Sequence, residues 1–218
     1  MTCCGHCEDA GDFFNDKTAR KDLKKYRRRG PEKSTRLLVK SILAHDVKGK
    51  KLLDIGGGIG AIQLELFKSG LHHSINVDAS QAYQSVAKQE AAERGLSDQT
   101  EFYFGDFTDL ASTLPDADIV TLDKVICCYP DWEKLLGKSL EKSDRIFALI
   151  FPRENLFSRI GFRLVNLWFK VRNSEFRTYL HPYKKVDAMI REHGFTESLH
   201  EKTILWRVLV YEKPEFDC

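Results

Sequence analysis

Six cysteines, at Cys3, Cys4, Cys7, Cys127, Cys128 and Cys218, are too few to staple a chain of 218 residues into a disulfide scaffold. The N-terminus also lacks the succession of cations, apolar residues and small residues that marks a secretory signal, so a reducing cytoplasm is the expected compartment. No excess of one charge exists: thirty-four Lys and Arg face thirty-two Asp and Glu, a formal +2, which excludes the pervasive positive field of a dedicated nucleic-acid binder. Long apolar runs are missing as well. The richest stretch, Leu156 to Val171, is interrupted by Arg159, Arg163 and Lys170 and falls short of the ~20 residues that a spanning helix needs. There is no internal repeat and no low-complexity linker. What remains, 42% hydrophobic and 30% charged, is enough apolar material for a sizeable core and predicts a soluble globular chain of one domain, with or without an appendage.

Residues 1–16 are small, polar and Cys-rich and read as a tail or a small metal clip. From Lys17 to Arg36 ten Lys or Arg accompany two acids, with Leu23 and Tyr26 as the few apolar positions, the pattern of a solvated helical face. Gly30 and Pro31 punctuate the chain, Pro31 suiting the first position of a helix whose apolar side is Leu37, Leu38, Ile42 and Leu43. Residues 17–46 thus form an N-terminal helical flap ahead of a domain at 47–218. In that domain short apolar runs (Lys51 to Ile55, Ser74 to Val77, Glu101 to Phe104, Ile119 to Leu122, Arg145 to Phe151) alternate with helical segments, which predicts a parallel sheet covered on both faces. The last third changes character: a basic amphipathic helix at Asn155 to Arg172, a helix at Tyr183 to His193 ended by Gly194, and a closing strand pair at Phe195 to Leu199 and Ile204 to Tyr211.

Between the first strand and the next helix the chain reads Leu53-Asp54-Ile55-Gly56-Gly57-Gly58-Ile59-Gly60. Glycine there lets the backbone take φ > 0 and lets a ligand approach closely at a helix N-terminus, which points to a nucleotide-like ligand. Asp78 ends the second strand about twenty residues on, where a carboxylate accepts hydrogen bonds from ribose hydroxyls; by itself this suits NAD equally well. Two features favour S-adenosylmethionine: Asp54 ahead of the glycines, and Phe104-Gly105-Asp106-Phe107, where a carboxylate beside an aromatic ring can hold and cover an adenine. Three acids at the ends of three consecutive strands converge on the crevice where open α/β sheets bind ligands.

On these residues the chain resembles the class I S-adenosylmethionine-dependent methyltransferases, across roughly residues 30–212. The resemblance implies a Rossmann-like, doubly wound α/β fold: a seven-stranded sheet with the last strand inserted antiparallel, helices on both faces and an N-terminal helical extension. It also implies cofactor contacts from Asp54, Gly56, Gly58, Gly60, Asp78, Ala79, Asp106, Phe107 and Asp123. The segment after the fourth strand, Asp123-Lys124-Val125-Ile126-Cys127-Cys128-Tyr129-Pro130, lacks the Asn-Pro-Pro-Tyr type of signature of amino-group and nucleobase methylation. With Arg177 to Pro182 it is most similar to the small-molecule branch that includes magnesium-protoporphyrin O-methyltransferase, with Cys128 standing where that type has a His before Tyr-Pro.

Methyl transfer is an in-line displacement that gains most from holding the partners together and excluding water, and it needs a base only for an acceptor proton of high pKa. His181, Tyr26 and Cys128 are the catalytic candidates, with Tyr129 a further base and Asp123 or Lys124 to orient. Cys127 and Cys128 suit two readings, small buried hydrophobes or holders of a soft substrate or metal. Cys3, Cys4 and Cys7, with His6, offer soft ligands for zinc or another soft metal, but no second ligand pair follows within reach. The basic segments admit RNA phosphates at Lys17 to Arg36, and a lid over the substrate or a peripheral membrane contact at Asn155 to Arg172. The expected partner is a small-molecule acceptor, neither a nucleic acid nor a membrane interior. The alternatives are a cofactor- or metal-binding protein without turnover, an RNA methyltransferase, and a NAD-dependent dehydrogenase, the last disfavoured by the absence of a Tyr-x-x-x-Lys pattern.

Overall fold

A computed structural model describes residues 14–214. The N-terminal cysteines Cys3, Cys4 and Cys7, expected as a metal clip, lie outside the described residues, as does Cys218. Helix α1 (Asp16–Arg29) and helix α2 (Lys33–Ile42) precede the sheet. Then follow β1 (Lys51–Ile55), α3 (Ala61–Phe67), β2 (His73–Asp78), α4 (Gln81–Glu93), β3 (Thr100–Phe104), the short α5 (Phe107–Leu110) and β4 (Ala117–Asp123). The chain continues through α6 (Trp132–Glu141), β5 (Ser143–Pro152), α7 (Leu156–Val171), α8 (Tyr183–Glu192), β6 (Thr196–Lys202) and β7 (Trp206–Glu212).

The seven strands form one sheet in the order β3-β2-β1-β4-β5-β7-β6. The first five run parallel, and β7 inserts antiparallel between β5 and β6. This is the doubly wound, Rossmann-like architecture expected from the sequence. The central strands β4 and β5 are apolar on both faces, and side chains alternate with the two-residue period of a strand. In β5, Phe147, Leu149 and Phe151 join a core with α6 and α8, whereas Ile146, Ala148 and Ile150 join a second core with α2 and α3. Helix α2 is therefore part of the sheet's cover, with Leu38, Val39 and Ile42 buried on it. It starts at Lys33 rather than at Pro31, because Glu32, with ψ 158°, is not helical.

Helix α1 packs differently. Asn15 caps it by accepting from Thr18 N at 3.1 Å, and Gly30, with φ +69°, ends it. Its inner face lies on α4, where Ala19, Tyr83 and Val86 form a small separate cluster. Polar ties hold it there: Tyr83 Oη donates to Asp22 at 2.6 Å, Tyr26 Oη donates to Glu65 on α3 at 2.7 Å, and Arg27 pairs with the buried Glu90 and with Glu93. Arg27 is thus engaged within the molecule, while the Lys and Arg side chains of α1 are all exposed, as a solvated basic face requires.

Among the described residues no helix is long and apolar enough to cross a membrane. Phe147 is fully buried where β5 meets Phe195, ring centroids 5.9 Å apart. Phe147→Ala should cost about 3–5 kcal/mol of stability in urea titrations, the range for deleting a core aromatic ring; a loss under about 1 kcal/mol would show that this core is not close-packed.

Candidate active site

Parallel strands with right-handed crossovers all point their C-terminal ends the same way, so residues far apart in sequence meet along one edge of the sheet. At that edge lies a cleft of about 530 Å³. Asp54, Gly56, Gly58, Asp78, Ala79, Asp106, Phe107 and Asp123 line it, together with Tyr26 and Cys128.

The β1–α3 turn is built on positive φ at Gly56 (+63°), Gly58 (+55°) and Gly60 (+77°). Gly57 is demanded by space: a Cβ there would sit 2.3 Å from Asn76 Nδ2 and 3.0 Å from Asp54 Oδ2. The amides of this loop are turned to the protein and not outward for an anion. Gly56 N donates to the Val77 carbonyl at 2.7 Å, Gly57 N to the same oxygen at 3.3 Å, and Gly58 N to Asp78 Oδ2 at 2.9 Å. Gly60 departs from expectation. It heads α3 and does not line the cleft, because the turn has already closed and its missing Cβ makes room for Gln63.

The acids differ in environment. Asp54 is buried; Thr121 Oγ1 donates to its Oδ1 at 2.6 Å, while Oδ2 has no hydrogen-bond partner. Burial pushes its pKa from 3.8 to about 7, the Thr121 hydrogen bond opposing and the charges of Asp123 and Asp78 adding to the rise. Asp78 is also raised by desolvation, against hydrogen bonds from Ser80 N (2.7 Å) and Gly58 N. Asp106 caps α5 through Thr108 N at 2.8 Å and accepts from Tyr129 Oη at 2.7 Å, which ties the β3 end to the loop after β4.

That loop carries a backbone constraint. Lys124 has φ +63°, an uncommon conformation for a residue with a side chain. Its ammonium is 3.2 Å from Asp123 Oδ1 and 3.3 Å from Glu32 Oε2, and it lies over the Trp206 ring at 5.4 Å. Burial lowers its pKa, but the two carboxylates outweigh that and hold it above the ordinary value. Thr35 Oγ1 donates to Asp123 Oδ2 at 2.5 Å, so α2 fixes the carboxylate from the other side. Cys127 and Cys128 follow in a single 3-10 turn, their sulfurs 3.7 Å apart and both near the Lys124 carbonyl. The hydrogen bond with Cys128, with burial, keeps the Cys127 thiol well above its usual pKa.

Two catalytic candidates need correction. His181 is buried and does not line the cleft: its Nε2 donates to the Ile126 carbonyl at 2.7 Å, and its ring packs between Trp132 and Tyr179. Burial lowers its pKa. Beside it Tyr179 N donates to the Cys127 carbonyl at 2.7 Å, so this segment positions the Cys127-Cys128 turn. Tyr26 reaches the cleft, but its hydroxyl is committed to Glu65 and its pKa is raised by burial and that bond, which suits a wall and not a proton acceptor. Thr35, Tyr83, Phe162, Phe176 and Trp206 also line the cleft and were not singled out from sequence. No local spacing marks them, because each comes from a different element. Among the described residues no group of three or more His, Cys, Asp or Glu could hold a metal ion.

A family model described as a methyltransferase domain matches residues 46–186. The chain belongs to that family. The chain is similar in structure to magnesium protoporphyrin IX methyltransferase from Synechocystis PCC 6803, solved with bound SAH (TM-score 0.68, 20% identity, 94% of this chain and 98% of that one). It also resembles an O-methyltransferase family protein from Burkholderia thailandensis (TM-score 0.63, 15% identity, 82% and 56% of the two chains). Over 74 residues it is 31% identical to ribosomal protein L11 methyltransferase from Tolumonas auensis, a match spanning 34% of this chain and one quarter (25%) of that protein.

Two outcomes check this geometry. Gly57→Ala should lower thermal stability by the equivalent of about 1–3 kcal/mol, since the added carbon must displace Asn76 and Asp54; an unchanged melting temperature would mean that the turn adapts freely. In the unfolded chain Asp54 titrates near 3.8 and in the folded protein near 7, so between those values only the folded state keeps the proton. Asp54 therefore favours folding most at low pH, and its contribution falls as pH rises from about 4 to about 7 and is flat above. Urea midpoints of the protein and of Asp54→Asn, compared across that window, should diverge in slope; parallel profiles would contradict the assignment.

Proposed function

We propose that this methyltransferase transfers a methyl group from S-adenosylmethionine to a small-molecule acceptor held in the same cleft. The observation that carries the cofactor reading is the chemistry of the wall: carboxylates at four strand ends, and a glycine loop whose amides are already used by Val77 and Asp78. Such a wall offers no anion cradle for a pyrophosphate and suits a cationic nucleoside, which also weighs against NAD. The residues fit the group. The glycine surface admits close approach, and the orphaned Oδ2 of buried Asp54 supplies a partner for a cation. Asp78 keeps lone pairs for ribose hydroxyls, with Ala79 beside it, and Asp106 and Phe107 border the adenine end. When bound, S-adenosylmethionine supplies an electrophilic methyl group.

The chain's own task is then positioning and exclusion of water. Asp123, held by Thr35 and Lys124, and the Cys127-Cys128 turn, held by His181 and Tyr179, stand between the cofactor end and the acceptor end. Asp123 can orient an acceptor there, and Cys128 offers a soft contact. Helix α1 acts as the flap, with Tyr26 in the cleft wall beside Phe14 and Glu32, and Phe162, Phe176 and Trp206 line the same cleft. The largely apolar lining of the cleft supports a small molecule over a nucleic-acid strand or a protein surface.

Calorimetry should show S-adenosylmethionine binding that weakens about 10- to 100-fold in Asp78→Ala, as expected for losing hydrogen bonds to a charged group; no binding at high micromolar concentration would sink the reading. Tritiated methyl from the cofactor, incubated with cell extract and fractionated by size, should appear in small molecules, and label in large RNA or in protein would contradict the acceptor class.

A further inference from the structure

Among the described residues, helix α7 stands out from the other helices by what it leaves uncovered. Leu156 is 69% exposed, Phe157 74%, Leu164 62% and Val171 75%, with Ile160, Leu167 and Trp168 also exposed. At about 100° per residue these seven side chains fall in one stripe about 120° wide. Arg159, Arg163 and Lys170 run along one edge of the stripe, Arg172 flanks the other, and no acid occurs from Leu156 to Ser174. The opposite face is fastened to the molecule. Phe169 and Ser158 are buried, and Asn166 exchanges hydrogen bonds of 2.8 Å in both directions with the Thr178 backbone. Asn155 caps the start of the helix and also donates to the Ile204 carbonyl at 2.9 Å, which sets the β6–β7 turn beside it with Ile204 77% exposed and Leu205 exposed.

We infer that α7 and the β6–β7 turn form a docking face for an anionic lipid bilayer. A rigidly anchored helix with one wholly apolar stripe and cations along its edges has the chemistry of an element lying in the interfacial plane: the stripe enters the acyl boundary while the arginines and lysine stay at headgroup level. Charge selects this occupant. A second copy of the chain laid helix to helix would bring cationic rows together with no acid on either helix to pair them, whereas anionic headgroups neutralise them. Phe162 of α7 and Trp206 at the end of the turn both line the cleft from their inner sides, so the docked face borders the acceptor end. The docking depends on this surface alone and not on which acceptor is methylated.

The test is co-sedimentation of the full chain with vesicles of phosphatidylcholine alone or mixed with phosphatidylglycerol, beside the double variant Ile160→Glu/Leu164→Glu, whose positions are exposed and outside the cleft. The expected result is partition into the anionic vesicles, loss of it at high salt, at least tenfold weaker partition of the variant, and unchanged S-adenosylmethionine affinity by calorimetry. If S-adenosylmethionine fails to bind either protein while partition behaves as described, the docking stands and the functional reading fails. No partition of the parent chain, equal partition of the variant, or a solution dimer that the variant dissociates would overturn the docking.

Discussion

Carboxylates gathered at one edge of a parallel sheet lose water there and must be held by donors from the protein, and the candidate site is organised around that constraint. Asp54 and Asp78 lie at the ends of β1 and β2, Asp123 ends β4, and Asp106 follows β3, in strands that are neighbours in the sheet. Burial, with the charges of Asp123 and Asp78 adding to it, raises the pKa of Asp54 to about 7. Local donors, namely Thr121 on Asp54, two backbone amides on Asp78, Tyr129 on Asp106, and Thr35 with Lys124 on Asp123, hold each carboxylate in place without adding enough positive charge to balance the group. A site so preorganised favours a cationic ligand, because that ligand supplies the charge that the fold withholds.

The surrounding construction serves the same edge. Gly56 and Gly58 bring backbone close to the carboxylates, and Gly57 is the residue that leaves space for Asn76 and Asp54 to sit beside the turn. Lys124 holds an uncommon left-handed conformation at the end of β4, where its ammonium bridges Asp123 on the sheet and Glu32 ahead of α2. Helix α1 is clamped by Tyr26 on Glu65, Asp22 under Tyr83 and Arg27 on Glu90, so the wall that it gives the cleft is held by side chains of α3 and α4.

Much of this was legible in the amino-acid order. The alternation of apolar runs and helical segments located all seven strands to within two or three residues, because strands buried on both faces leave short, dense apolar runs bounded by glycine or acids. The glycine loop and the acids at the strand ends were legible because close backbone approach has few residue solutions. What misled was function by residue type. His181 looked like a base, yet in the fold its ring is packed between Trp132 and Tyr179 and its nitrogen holds the Ile126 carbonyl. Gly60 looked like a fourth ligand contact, yet it shapes the start of α3.

The sequence by itself determined the alternation of strands and helices and which strand ends carry the glycines and acids, since periodicity, glycine and acid placement are local properties. Only the tertiary structure decided which side chains face the cleft and which support it. Thr35, Phe162, Phe176 and Trp206 are drawn to one cavity from four separate segments, and the apolar stripe of α7 is left bare because Asn166 and Phe169 anchor the helix by its other face. Both follow from packing between elements far apart in the chain, which no run of neighbouring residues encodes.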